Sequence, residues 1–229
     1  QLLLDWQGEL AGKLKLSGQW HEVLNRWQGT IEHAALTYQQ ETWRNEDVFL
    51  INFDGDKQQI LIDKHCWQGK GFRLCLPFNT GVGKSGDLTL ALDVDLSLID
   101  ELMLPKETHL KSKVSGEVKV LWSPTQAISA RANLLFSAGN IKVYDDYSEQ
   151  QITQWHQGEL SFNLNEKQLT SKFQLHDIED LVLININSKV NLVEDFPISA
   201  EIELNKFNLQ PLQAVISNVI NLRGNLTSK

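Results

Sequence analysis

Alternation of apolar and polar residues at period two runs through most of this sequence and narrows what it can fold into. Leu88, Leu90, Leu92, Val94 and Leu96 share one side of an extended run, and Thr89, Ala91, Asp93, Asp95 and Ser97 form the other. A strand of that kind keeps one face on apolar surroundings and one in water. Val114 to Trp122, which includes Val118 and Val120, repeats the pattern, as do Ile128 to Phe136 and the set Leu160, Phe162 and Leu164. Val182, Ile184, Ile186, Val190 and Leu192 form a further run, with Ser188 interrupting its apolar side. Turn residues separate the runs at Asp54-Gly55-Asp56, Gly69-Lys70-Gly71, Gly81 to Gly86, Ser123-Pro124, Ala138-Gly139-Asn140 and Asn165-Glu166-Lys167. This spacing predicts a mainly β chain of antiparallel hairpins.

Two segments depart from it. Ser97 to Leu104 has a capping candidate in Ser97, acidic residues in its first turn and Pro105 as a stop, which predicts a short helix. Leu209, Leu212, Val215, Ile216, Val219 and Ile220 recur at helical spacing and predict a second amphipathic helix. Each is followed by a glycine-opened strand, giving weak repeat units over about 86–122 and 198–229. Repetition of this kind points to an elongated stack. No Pro- or Ser-rich linker divides the halves, so residues 1–229 read as one continuous segment.

Composition excludes several function classes. With 41% apolar and 22% charged residues the chain can form a core and is no long disordered tract. No stretch approaches the roughly 18 apolar residues that a membrane helix needs. The formal charge of −8, with basic residues scattered singly, disfavours nucleic acid as a partner. The sequence starts at Gln1 and reads as an excerpt of something longer, from which a membrane anchor could be missing.

The only cysteines, Cys66 and Cys75, flank Gly69-Lys70-Gly71 within a hairpin predicted over about 58–78. That arrangement suits one cross-strand disulfide, and hence an oxidising compartment; a reduced pair in a cytosolic protein is the alternative. Chemical motifs are otherwise sparse. Gly81-Val82-Gly83-Lys84-Ser85-Gly86 ends like a phosphate-binding loop, yet position 78 is Phe78 and a strand follows where a helix is required. The six histidines show no zinc-enzyme spacing, and His65 with the two cysteines is one ligand short of a tetrahedral site. No nucleophile elbow occurs. The expectation is therefore a protein that is no enzyme, with no catalytic residue, metal or cofactor. Seven tryptophans fall mostly near strand ends, either as ordinary packing or at a boundary between apolar surface and water.

His65-Cys66-Trp67 through Leu74-Cys75-Leu76-Pro77, then Leu98-Ile99-Asp100-Glu101-Leu102 and Ser115-Gly116-Glu117-Val118, resemble the later part of the TamB family. Leu209-Gln210-Pro211-Leu212 and Arg223-Gly224-Asn225-Leu226 resemble that family's recurring units, so the likeness covers about residues 55 to 229. It implies a β-taco, an elongated sheet curled into an apolar groove, as in AsmA-like bridge proteins. It also implies an inner-membrane-anchored periplasmic protein that works with the outer-membrane barrel TamA in outer-membrane protein and autotransporter assembly, and in phospholipid movement between membranes.

The residues are compatible with this. About 15 strands at roughly 4.8 Å apiece would extend a sheet by some 70 Å. Its apolar side must either close into a sandwich or stay open to apolar guests. The open reading assigns the groove to Leu88, Leu90, Leu92, Val94, Leu96, Val118, Val120, Leu160, Phe162, Leu164, Ile184 and Ile186, with phospholipid acyl chains as the occupant. A charge at Leu92 or Ile184 is then expected to block acyl passage without loss of soluble protein. The rival readings are a scaffold that pairs its strand edges with unfolded barrel strands, and a closed sandwich of adhesin or lectin type.

Overall fold

The computed structural model describes residues 2–38, 41–98, 104, 108–144, 149–193 and 196–205. Among these are nineteen strands: β1 (Leu2–Trp6), β2 (Leu10–His21), β3 (Arg26–Tyr38), β4 (Glu41–Asn45), β5 (Phe49–Asp54), β6 (Gln59–Ile62), β7 (His65–Gly69), β8 (Phe72–Leu76), β9 (Thr80–Val82), β10 (Gly86–Asp95), β11 (Thr108–Lys111), β12 (Lys113–Ser123), β13 (Gln126–Phe136), β14 (Gly139–Tyr144), β15 (Glu149–Trp155), β16 (Gln157–Asn165), β17 (Gln168–His176), β18 (Val182–Asn191) and β19 (Ile198–Leu204). The mainly β, antiparallel class predicted from alternation is the class observed. Two compact units are formed, residues 1–93 with 117–130 and residues 94–116 with 131–229. The predicted helix at 97–104 is described only at Ser97, Leu98 and Leu104, where Asp95 Oδ1 accepts hydrogen bonds from the Ser97 N–H and hydroxyl. The helix predicted from Leu209 onward lies outside the described residues.

In the first unit β2 and β3 form a long hairpin around a single 3-10 turn, Glu22–Leu24, closed by Asn25 in the left-handed region. One half of β3 pairs with β5 and the other with β4. β4 and β5 together pair with β7 and β6, and β6 and β7 with β9 and β8, so each couple is one long strand line broken in the middle. Those breaks, at 46–48, 63–64 and 77–79, lie side by side. On β3 the same line is marked by Glu32, left without a partner because Leu16 faces Ile31 while Lys15 faces His33. The strand count therefore exceeds the number of alternating runs.

Side chains and shifted backbone bonds repair the ladder along this seam. Asn45 accepts from the Ala34 N–H at 2.6 Å and donates to the Asp47 carbonyl at 2.8 Å. Asn79 accepts from the Lys64 N–H at 2.9 Å, and the Glu46 N–H reaches the Cys66 carbonyl. Buried backbone groups are thereby satisfied. Bulges bend strands and increase twist, so a line of them creases the sheet. Ile31, Ala34 and Phe49 are buried at that crease, with Leu14, Leu16, Ile51, Ile62 and Trp67 packed around them. Phe49 stacks on the His65 ring at 3.7 Å.

In the second unit β16 to β19 form an antiparallel meander whose register aligns Leu160, Phe173, Ile186 and Ile202. β18 bulges at Leu183, since His176 faces Val182 and Leu175 faces Ile184. A separate three-stranded sheet, ordered β11-β14-β15, packs over part of this meander. Trp155 of the small sheet is buried with Leu175, Leu183 and Ile184, and Leu110 and Ile141 close the cluster. No described side chain has less than 2% of its surface exposed.

Candidate functional site

Register sorts the first unit into rows that run across the strands. Leu2, Leu16, Ile31 and Phe49 form one row. Leu4, Leu14 and Ala34 form its neighbour, and Gly29, Ile51 and Ile62 lie on the other side. All share one face. The opposite face carries Asp5 with Lys13, Arg26 with Asp54, and Glu46 with Arg73 as ion pairs. Arg73 bonds Glu46 through two nitrogens, at 2.6 and 2.8 Å, and holds that carboxyl below the usual glutamate range. Asp54 is likewise lowered, first by the Lys57 N–H it accepts and then by Arg26.

Tryptophan marks both margins of the apolar face. At one end Trp6 faces Gly12, Gly12 faces Leu36, and Leu36 faces Trp43. At the other, Trp20, Trp27, Phe53, Ile60 and Val82 follow in register. Five rings occupy the side-chain space of strand glycines: Trp6 at Gly12, Trp27 at Gly18 and Gly29, Trp43 at Gly69, Trp122 at Gly86 and, in the second unit, Trp155 at Gly139. A Cβ at any of these glycines would enter the ring. Two indole N–H groups bond turn carbonyls beside their glycines, Trp122 to Gly83 at 3.0 Å and Trp155 to Ser137 at 2.8 Å. Covering a glycine with an aromatic ring restores apolar contact that the missing side chain would lose. Neither the pairing nor the rows can be read before register is known, although tryptophans and glycines near opposite strand ends were a signal.

On β12 and β16 the predicted groove residues occupy the less exposed side, whereas on β10 and β18 burial does not separate the two sides. Leu88, Leu90, Leu92, Val94, Val118, Val120, Leu160, Phe162, Leu164 and Ile186 are half-buried, and Leu96 and Ile184 are buried. In the second unit Leu160 and Ile186 share a row through Phe173, and Leu164 shares one with Leu169, Val190 and Ile198. Ile184 is part of the cluster under Trp155, packed as an ordinary interior. A charge at Ile184 would therefore meet buried side chains. Ser171 and Ser188 interrupt the apolar face with a hydroxyl pair 2.7 Å apart.

Cys66 and Cys75 face each other on β7 and β8 and are joined by a disulfide, as their spacing predicts. The thiolates that a metal would need are therefore engaged. Gly81 to Gly86 is a hairpin, with Val82 facing Gly86. No group of three or more metal-binding side chains occurs among the described residues.

These features define a class: antiparallel β protein, with an apolar and a polar face and aromatic margins in the first unit. The family described as TamB, N-terminal domain, matches residues 1–229, and the chain belongs to the TamB family. The match also takes in residues 1–54, outside the likeness read from the sequence, and its description is of the N-terminal domain where the later part was expected. A curated relative, "Translocation and assembly module subunit TamB" of Haemophilus influenzae, is 26% identical over 136 residues, 58% of this chain and 10% of the relative. The matched segment thus spans a tenth of that relative's length. No solved structure matches the chain.

Proposed function

We propose that this chain is a periplasmic segment of a TamB-like protein that holds phospholipid acyl chains along its apolar faces for transport between inner and outer membrane. In the same reading the complete protein is anchored in the inner membrane, works with a TamA-like barrel, and supports outer-membrane protein and autotransporter assembly. Curvature of the sheet into a β-taco groove belongs to this proposal, and the crease at Ile31 and Phe49 is the device that would supply it. No residue is assigned chemistry.

The observation that carries the reading is the first unit's aliphatic face, on which Leu14, Leu16, Ile51 and Ile62 stay half-buried around Ile31, Ala34 and Phe49, between aromatic margins. A face of that kind binds hydrocarbon without directional contacts, each buried methylene contributing about 0.8 kcal/mol. Indole rings suit the border where acyl chain gives way to water. The disulfide fits an oxidising compartment. Among the described residues no helix is long and apolar enough to cross a membrane. The test is mass spectrometry of the chain purified without detergent. Co-purified phospholipid is the expected result, and lipid-free protein would count against the conduit.

A second reading has its own support. β1 pairs with β2 alone among the described residues, and its sequence Leu-Leu-Leu-Asp-Trp carries no proline or lysine to blunt its outer edge. Leu3 on it is 71% exposed. Such an edge suits β-augmentation by an extended client strand. Photo-crosslinkers placed on β1 would capture peptide under this reading, and lipid or nothing under the first.

A further inference from the structure

The polar face of β16 to β18 holds a second candidate site, on the side of the sheet away from the apolar rows. Ser161, Lys172 and Asn187 face one another in one row, which Glu201 of β19 continues, and Asn163, Thr170 and Lys189 in the next. The channel between these rows, floored by the intervening row of Phe162, Ser171 and Ser188 and flanked by Arg131 and Asn133 of β13, is a cleft of about 460 Å³. All of its lining belongs to the second unit.

The cleft's own lining is basic, with Glu201 next in register beyond Asn187. Acidic residues outnumber basic ones 29 to 21, yet this cleft has two cations in its lining and no carboxylate. Lys13, Arg26 and Arg73 elsewhere are matched to Asp5, Asp54 and Glu46. Arg131 and Lys172 make no ion pair among the described residues. The Thr170 hydroxyl donates to the Asn163 carbonyl, and next door Asn185 donates to Glu203. By contrast, the side chains of Asn133, Ser161, Asn163 and Asn187 have no hydrogen-bond partner among the described residues.

What collects here is a guanidinium fork, an ammonium group, three amides and a hydroxyl, all with donors unengaged. A tetrahedral oxyanion presents several acceptor oxygens at once and matches such a set, the guanidinium binding two of them in parallel. We propose that this cleft binds a phosphoryl group, with Arg131 and Lys172 supplying the charge and Ser161 and Asn187 the orientation. A phospholipid headgroup and a soluble phosphate ester share that chemistry. The inference does not depend on what occupies the apolar face.

The test is calorimetric titration of the chain with inorganic phosphate and with glycerol 3-phosphate against chloride at equal ionic strength, alongside flotation with phosphatidylglycerol vesicles. Specific binding in at least one arm is expected. It should weaken about tenfold or more in R131Q/K172Q, because hydrogen bonds to charged groups are lost, and stay unchanged in K13Q. Binding of the soluble anions alone identifies a free ester, and vesicle binding a headgroup. Circular dichroism confirms that the variants fold. Failure of every arm, or equal binding by R131Q/K172Q, would overturn the proposal, while lipid held on the apolar face would still be detected separately by mass spectrometry.

Discussion

Trp43 on β4 lies across the backbone of Gly69 on β7, so that the indole fills the place a side chain at Gly69 would take. The same ring meets Phe72 edge-on at a centroid distance of 6.4 Å, which fixes the margin of the apolar face to the disulfide hairpin. Gly69→Val should therefore displace the ring and destabilise the chain by about 1–3 kcal/mol, the usual cost of overpacking. Trp43→Ala should also destabilise it. Because the two residues share one space, the double variant should lose less than the sum of the singles. Urea unfolding of the four proteins measures this, and simple additivity would refute the packing argument.

How much of this was legible in the sequence depends on where the parity of the strands holds. β10, β12 and β16 keep strict alternation in sequence, so Leu88, Leu90 and Leu92, Val118 with Val120, and Leu160, Phe162 and Leu164 each fall on one side of their own strand. The first fifty residues could not be read that way. Trp27, Gly29 and Ile31 face inward, then the extra Glu32 shifts the set to Ala34 and Leu36, and the break at 46–48 interrupts the partner strand. A bulge is a property of two strands together, and period counting along one strand does not contain it. Nor does alternation say which apolar face meets which. Leu110, Ile141 and Trp155 read like any other strand residues, yet they cover Ile184.

Cys66 and Cys75 close a loop with a sequence separation of nine residues across directly opposed strand positions. In the chain-entropy account a loop of that size stabilises the fold by roughly 3 kcal/mol. C66S/C75S should lower the urea midpoint by a corresponding amount, and reduction of the parent chain should match it. Thiol titration of the unfolded, unreduced protein should find no free sulfhydryl. A full complement of thiols would remove both the bridge and the argument from it for an oxidising compartment.

Glu46 and Arg73 make the stability of this same hairpin depend on pH. The Arg73 hydrogen bonds hold the Glu46 carboxyl below its ordinary value of 4.5, against a smaller opposing effect of burial. A carboxyl whose pKa is lower in the folded state contributes stability above the ordinary value, and loses that contribution as pH falls through the lowered one. Arg73→Gln should therefore destabilise the chain at neutral pH, and the gap from the parent should close below pH 4.5. Melting temperatures of both proteins across the acid range test this. A gap independent of pH would mean that Arg73 acts through packing alone.

Leu92 and Ile184 separate two uses of an apolar face. Leu92 is half-buried on β10, whereas Ile184 is 8% exposed in the cluster with Trp155, Leu175 and Leu183. A carboxylate at Ile184 would be buried without a partner, at a cost of about 3–5 kcal/mol by analogy with broken buried pairs. Ile184→Asp should yield little soluble protein. Leu92→Asp leaves its charge within reach of water and should cost about 1–2 kcal/mol, near the centre of the range for single substitutions. It should fold, and if acyl chains occupy this face it should retain less phospholipid than the parent when both are purified without detergent. Equal lipid in a folded Leu92→Asp chain would place any bound lipid elsewhere, because an aliphatic face cannot hold a hydrocarbon chain against an ionised carboxylate at no cost.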